Sequence, residues 1–242
     1  MTAAKFKIIS DMPFEEYAAL PAWNASKLKV LAHSYHAYSC YISSDDNSAG
    51  GESVAFRFGR AVHALVLEGI EPTGRHAASV KLAADRLLRN PDAKKLLNGA
   101  ETELTLLWED EDWGDCKARL DLYRPDLKVI GDLKVMAADG HDPVKFGYSS
   151  VKFGYDIQAL WYMRAARACG LDADSFKFIV LEKGWYDSSI LNVSRGMLAA
   201  GESELMFASQ NLKSRKDSGE KDYFGGRYPG EYDVEHRYYK EL

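Results

Sequence analysis

The sequence predicts an α/β domain in which a central mixed β-sheet is covered by helices. Three observations predict it. Apolar residues recur at helical spacing through the first part of the chain, they alternate at period two through the middle, and helix and strand periods then return in turn.

The elements follow in order. Asn24 is placed to cap a helix over Ala25–His33. Residues 43–53, rich in Ser, Asp and Gly, read as a solvated loop that sets an N-terminal helical hairpin apart from the rest. Ala55, Phe58, Gly59, Val62 and Val66 form a helical stripe over Val54–Glu68, which Gly69 can end. Ala77–Arg89 is a further helix, stopped by Asn90-Pro91. Leu104, Leu106 and Trp108 then alternate as in a strand. Cys116, Ala118, Leu120 and Leu122 alternate with Lys117, Arg119, Asp121 and Tyr123. Val129, Gly131 and Leu133 alternate with Ile130, Asp132 and Lys134, and Arg124-Pro125-Asp126-Leu127 between the two runs is a turn. A helix is expected over 155–169, closed by Gly170, then strands over 176–181 and 188–193 and a long helix over 197–216. From Asp217 onward the chain is rich in Gly and Tyr and has no readable period. The organisation expected is one domain over 1–242: a helical segment over 1–50, a core over 54–195, and a C-terminal helix and tail over 196–242.

Composition excludes several classes. With 46% hydrophobic and 12% aromatic residues in 242, the chain can bury a core and is not globally disordered. No apolar run approaches the ~20 residues of a membrane span, and MTAAKFKIISDMPFEEY lacks the apolar stretch of a signal peptide, so a cytoplasmic protein away from the membrane is expected. Cys40, Cys116 and Cys169 are scattered and odd in number, against a disulfide framework or a CxxC zinc site. The net charge of −5, from 31 basic and 36 acidic residues, provides no overall positive field. Any nucleic-acid contact must use local basic patches.

The chemistry concentrates in the hairpin. Asp132 and Lys134 share a face of their strand, opposite Leu133. A hairpin centred on Asp126/Leu127 places Asp121 directly across from Asp132, with Cβ atoms about 4.5–5.5 Å apart. Two carboxylates that close repel each other unless a cation lies between them, and hard oxygen ligands suit Mg²⁺ or Mn²⁺. A lysine beside them could orient a water or hold a phosphate oxygen. The alternative for an Asp-x-Lys pair is an ordinary salt bridge on a strand face. His63, on the helical stripe, and Gln158 and Tyr162, one turn apart on a later helix, are unremarkable taken singly.

Taken together, four stretches resemble the PD-(D/E)XK nuclease superfamily, and within it the exonuclease VIII (RecE-type) branch common in phages and prophages. They are Met12-Pro-Phe-Glu-Glu-Tyr17 through Asn24-Ala-Ser-Lys-Leu28; Phe58-Gly-Arg-Ala-Val-His63-Ala-Leu-Val-Leu-Glu68; Cys116-Lys-Ala-Arg-Leu-Asp121 with Gly131-Asp-Leu-Lys134; and Tyr155-Asp-Ile-Gln158-Ala-Leu-Trp-Tyr162. The resemblance implies a restriction-endonuclease-like core. It makes His63, Asp121, Asp132 and the Leu133 carbonyl the ligands of Mg²⁺ (or Mn²⁺), Lys134 the catalytic lysine, and Gln158 and Tyr162 the Q-x-x-x-Y pair of RecB-like relatives. Glu103 matches an acidic residue those families place near the site.

Val135 stands where the family often has Thr, and the segment near Ser34–Tyr38 lacks an expected Ser-Pro. Three scattered cysteines do not supply the iron–sulfur cluster of Cas4-like relatives. The reaction implied is hydrolysis of linear double-stranded DNA from its ends, 5′-to-3′, by a homo-oligomeric ring that works with a single-strand annealing protein in recombination. Arg57, Arg60, Lys117 and Arg119 are the basic candidates for phosphate contact. A structure-selective or single-strand endonuclease, or an inactive DNA-binding module on a nuclease fold, are the alternatives.

Overall fold

The computed structural model describes residues 6–43, 53–137 and 139–218. Most of the predicted 43–53 loop, and the tail from 219, lie outside the described residues. In chain order the elements are β1 (Phe6–Ile9), α1 (Phe14–Ala19), α2 (Ala25–His33), α3 (Tyr35–Ser43), α4 (Val54–Glu68), α5 (Ala77–Arg89), α6 (Pro91–Leu97), β2 (Glu101–Asp110), β3 (Gly114–Arg124), β4 (Val129–Met136), α7 (Pro143–Phe153), α8 (Tyr155–Ala168), β5 (Ser175–Glu182), β6 (Ser188–Asn192) and α9 (Arg195–Ser218). The strands form one sheet in the order β1-β2-β3-β4-β5-β6. Among the described strands β4 and β5 alone pair in parallel, with α7 and α8 as the crossover.

Each face of the sheet carries a core. On one side Leu104, Leu106, Leu120, Ile130, Phe178 and Val180 pack with Leu28, Trp161 and Leu205 of α2, α8 and α9. On the other, Leu122, Val129, Leu133, Ile179 and Leu181 pack with Phe58, Val62, Leu87 and Leu96 of α4, α5 and α6. This is the expected mixed sheet between helices.

Four elements escaped the sequence reading. β1 and α1 are too short to establish a period. α6 and α7 were hidden behind prolines read as breaks or left unassigned. Asn90 ends α5, but its side chain also accepts hydrogen bonds from Asp92 N (3.0 Å) and Ala93 N (3.2 Å), with Pro91 at the first helical position. Asp142 does the same ahead of Pro143, accepting from Val144 N at 2.8 Å and Lys145 N at 3.1 Å. An Asn or Asp before Pro is a start signal as well as a stop.

The β3–β4 hairpin has the predicted centre, since Arg124 pairs with Val129, Tyr123 with Ile130 and Leu122 with Gly131. Gly131 is required there: a Cβ would come within 2.7 Å of Leu122 Cδ1. The ladder then stops one residue short of the predicted Asp121–Asp132 pair. This corrects the expectation of a direct cross-strand pair.

Candidate active site

The sheet opens on both sides of Asp121. Toward β4 the ladder ends at Leu122 and Gly131. Toward β2 it skips Glu103, between Thr102↔Leu122 and Leu104↔Leu120. Glu103 has φ +53°, a left-handed conformation that costs a non-glycine residue of order 1–3 kcal/mol. The strand also changes face at this point, for Leu120 belongs to the α2–α8–α9 core and Leu122 to the α4–α6 core. The Asp121 side chain fills the gap, its Oδ2 accepting the Leu133 backbone N–H at 2.8 Å.

Helix packing brings the other side chains to this opening. A Cβ on Gly59 would lie only 3.6 Å from Val135 Cβ, so α4 runs close to β4. One turn on, His63 Nε2 is 2.8 Å from Asp121 Oδ2, and its Nδ1 is 3.4 Å from Glu103 Oε1. On the opposite face α8 is pinned to β3 by Trp161 Nε1, which donates to the Lys117 carbonyl at 3.0 Å. Gln158 then donates through Nε2 to Asp132 Oδ1 at 2.5 Å. The Lys134 ammonium pairs with Asp132 Oδ2 and lies 4.9 Å from the Tyr155 ring centroid. Tyr162, half-buried one turn on from Gln158, has its hydroxyl pKa pushed up by burial, with the Gln158 side chain pulling the other way.

Charge explains the protonation states. Burial by itself would lower the His63 pKa, but Asp121, its hydrogen bond and Glu103 raise it to about 9, so the ring is a cation at neutral pH. Burial would raise Asp121, and the opposing His63 and Lys134 charges hold it below the usual carboxylate range. Asp132 is pushed up by burial and by the Asp121 charge, against the pull of Lys134. Lys134, despite burial, is held above the ordinary lysine value by Asp132 and Asp121.

The four basic residues expected to face DNA divide. Arg57 and Arg60 are exposed on α4, the helix of His63. Lys117 is 1% exposed, and its ammonium donates to the carbonyls of Tyr17 (2.7 Å), Ala18 (3.2 Å) and Leu20 (2.8 Å) at the end of α1. The Arg119 guanidinium pairs with Glu103 and donates to the Met12 carbonyl at 2.6 Å. Both residues are corrections to the sequence reading. Strand alternation put them on the Asp121 face, and the unpredicted N-terminal elements cover that face.

Two residues near the site were missed. Lys29 of α2 lies beside Gln158, its Nζ 3.4 Å from Oε1. Glu68, at the end of α4, brings its carboxylate near those of the site, for donor atoms of His63, Glu68 and Glu103 all lie within 4.8 Å of one another. The (i, i+5) spacing of His63 and Glu68 gave no motif to find it by. Glu103 Oε1 is buried without a hydrogen bond. An imidazole, an unbonded buried carboxylate oxygen and the neighbouring Asp121 and Asp132 form a donor set that fits a hard divalent cation.

The sequence matches, over residues 71–221, the family model described as a PDDEXK-like domain of unknown function (DUF3799). The chain belongs to this family. The matched span contains Glu103, Asp121, Asp132, Lys134, Gln158 and Tyr162, and leaves Lys29 and His63 outside it. No curated protein matches the sequence. Among solved structures, the "Putative exonuclease" of Eubacterium rectale is 21% identical, with 88% of each chain covered and a TM-score of 0.66. A phage-related exonuclease of Haemophilus somnus 129PT is 15% identical, covering 86% of this chain and 100% of that one at a TM-score of 0.40. The likeness to the first is one of fold, and the fold is PDDEXK nuclease-like. Among the described residues no helix is long and apolar enough to cross a membrane.

Proposed function

We propose that this protein is a divalent-metal-dependent deoxyribonuclease that degrades linear duplex DNA from its ends. One observation carries the reading. Asp132, Lys134 and Gln158 form a bonded group beside Asp121 and His63, at the place where β3 loses its partners on both sides. A fold does not need a sheet interrupted there and lined with charge. A hydrolase does.

His63, Asp121 and Asp132 would hold the cation, with Glu103 and Glu68 close enough to complete or adjust the set. When bound, the cation supplies Lewis-acid polarisation of the phosphate and neutralises charge on it. The chain's own groups do the rest. Lys134, kept protonated by the two aspartates, acts as a hydrogen-bond donor that positions the attacking water and offsets charge on the phosphorane oxygens. Gln158 fixes the rotamer of Asp132 and presents the carboxylate's other oxygen to Lys134. Tyr162 stands beside Gln158, one turn further along α8.

End-dependence, 5′-to-3′ direction, assembly as a homo-oligomeric ring and work alongside a single-strand annealing protein in recombination belong to the same proposal and rest on the resemblance to exonuclease VIII. Exposed Arg57 and Arg60, on the helix that carries His63, would take the backbone phosphates. The test is digestion of end-labelled linear duplex and of covalently closed circles with Mg²⁺, with and without EDTA. Loss of the linear duplex alone, abolished by EDTA, is expected. Equal loss of circles would replace the exonuclease with an endonuclease, and no cleavage of either would leave a DNA-binding module.

A further inference from the structure

We infer that Lys29 is a second phosphate-binding lysine of the site, whose ammonium contacts a DNA phosphate next to the one that Lys134 serves. The inference rests on the nuclease reading and adds to it a substrate contact from outside the sequence stretch that carries the catalytic aspartates.

The first argument is charge balance. Glu103 is paired with Arg119, Asp121 with His63, and Asp132 with Lys134. Lys29 is a fourth cation: the Asp132 and Asp156 carboxylates attract it, but among the described residues it is closed into no ion pair of its own. Its ammonium has one hydrogen bond, to Gln158 Oε1 at 3.4 Å, and one ring face, Tyr155 at 5.4 Å. Lys134 stands over the same ring at 4.9 Å. Two ammonium groups brought to one aromatic ring repel each other, and an ammonium has three N–H donors to satisfy. An anion from outside would relieve both.

The second argument is that Lys29 is held in place. Gly154, between α7 and α8, has φ +62°, and a Cβ there would come within 2.8 Å of Lys29 Cγ. The bare glycine leaves a seat for the lysine stem, which directs the ammonium toward Gln158. Gln158 in turn has its amide fixed, with Nε2 on Asp132 and Oε1 toward Lys29. Burial and the neighbouring Lys134, against the pull of Asp132 and Asp156, lower the Lys29 pKa to about 8, which keeps it mainly charged at neutral pH. A desolvated ammonium with a free donor, set beside a catalytic lysine, is suited to a phosphodiester.

The experiment compares wild type, Lys29→Met and Lys29→Arg. Binding of a short fluorescein-labelled duplex is measured in EDTA across a salt series, and cleavage kinetics are measured with Mg²⁺. For Lys29→Met the slope of log affinity against log salt should shrink by roughly 0.9, the value for one lost phosphate contact. Its KM should rise about tenfold with kcat nearly unchanged, as for loss of one charge-assisted hydrogen bond. Lys29→Arg should restore both. Lys29→Met should also melt no lower than wild type, because it removes a buried cation from beside another. An unchanged salt slope and KM overturn the inference. So does a fall in kcat alone, which would make Lys29 a support for Gln158 instead. Wild type that neither binds nor cuts duplex overturns the nuclease reading itself, and the inference with it.

Discussion

Gln158 donates its amide to Asp132 across 26 positions of sequence, joining α8 to the middle of β4 with a 2.5 Å hydrogen bond. The bond does two things. It pays the hydrogen-bonding requirement of one oxygen of a fully buried carboxylate, and it turns the other oxygen toward Lys134.

Replacing Gln158 should therefore damage chemistry more than binding. Gln158→Leu leaves Asp132 Oδ1 without its donor and frees the carboxylate to rotate. Outer partners of this kind typically contribute 10–100-fold. A fall in kcat of roughly that size, at nearly constant KM, is expected in steady-state digestion of labelled duplex. Full activity in Gln158→Leu would mean that Asp132 is oriented by something else.

Lys117 should prove structural. Its ammonium is the donor for three carbonyls at the end of α1, and Lys117→Met removes that donor, leaving Tyr17 O only its bond from Leu20 N and the half-buried Leu20 O without its lysine. A loss of about 1–3 kcal/mol is expected from urea unfolding, the usual cost of one buried polar group left unsatisfied. Duplex binding should keep its salt slope. A flattened slope at unchanged stability would restore Lys117 to the DNA-binding surface.

The contrast between Lys117 and Asp132 shows what was legible. Period and turn signals sufficed for the central hairpin, for the helices of His63 and Gln158, and for the centre of the β3–β4 turn, because each depends on local pattern. The environment of a strand face does not. Lys117, Arg119 and Asp121 share a face by alternation, yet α1 and the Met12 segment cover the first two, and the strand changes face at the third. Short elements without a period of their own decided which charges reach solvent. Lys29 was missed for a similar reason. Its part depends on Gly154, 125 positions away, leaving room for its stem.

His63 should make the metal-free protein's stability depend on pH. Its pKa is raised to about 9 in the folded state, against about 6.5 when unfolded. The folded state therefore binds more protons than the unfolded state between those values. The stabilisation is fully present below about pH 6.5 and is lost as pH rises through 9. In EDTA, the melting temperature of wild type minus that of His63→Gln should be largest near pH 6 and should shrink toward pH 9. A difference that stays constant over this range would show that the ring is not held as a cation by Asp121.

Metal binding should reverse part of that balance, and it can be read without any cleavage. Without the cation, the Asp121 and Asp132 charges are offset by His63 and Lys134, so binding must displace the His63 proton before the imidazole can act as a ligand. Affinity should accordingly increase as pH rises toward 9. A ligand at about a hundred times its dissociation constant stabilises the folded state by about 2.7 kcal/mol. For a chain of this length each kcal/mol moves the melting temperature by roughly 2–4 °C. Saturating Mn²⁺ should thus raise the wild-type melting temperature by about 5–10 °C, more at pH 8 than at pH 6. Asp121→Asn and Asp132→Asn should each lose most of the shift while remaining folded in EDTA, since the amides still fill the same space. Glu68→Gln tests the alternative set around His63 and Glu103, whose donor atoms cluster within 4.8 Å. If Glu68→Gln abolishes the shift and the two aspartate variants keep it, the cation sits on the α4 side of His63, and the aspartates act on the substrate without holding the metal.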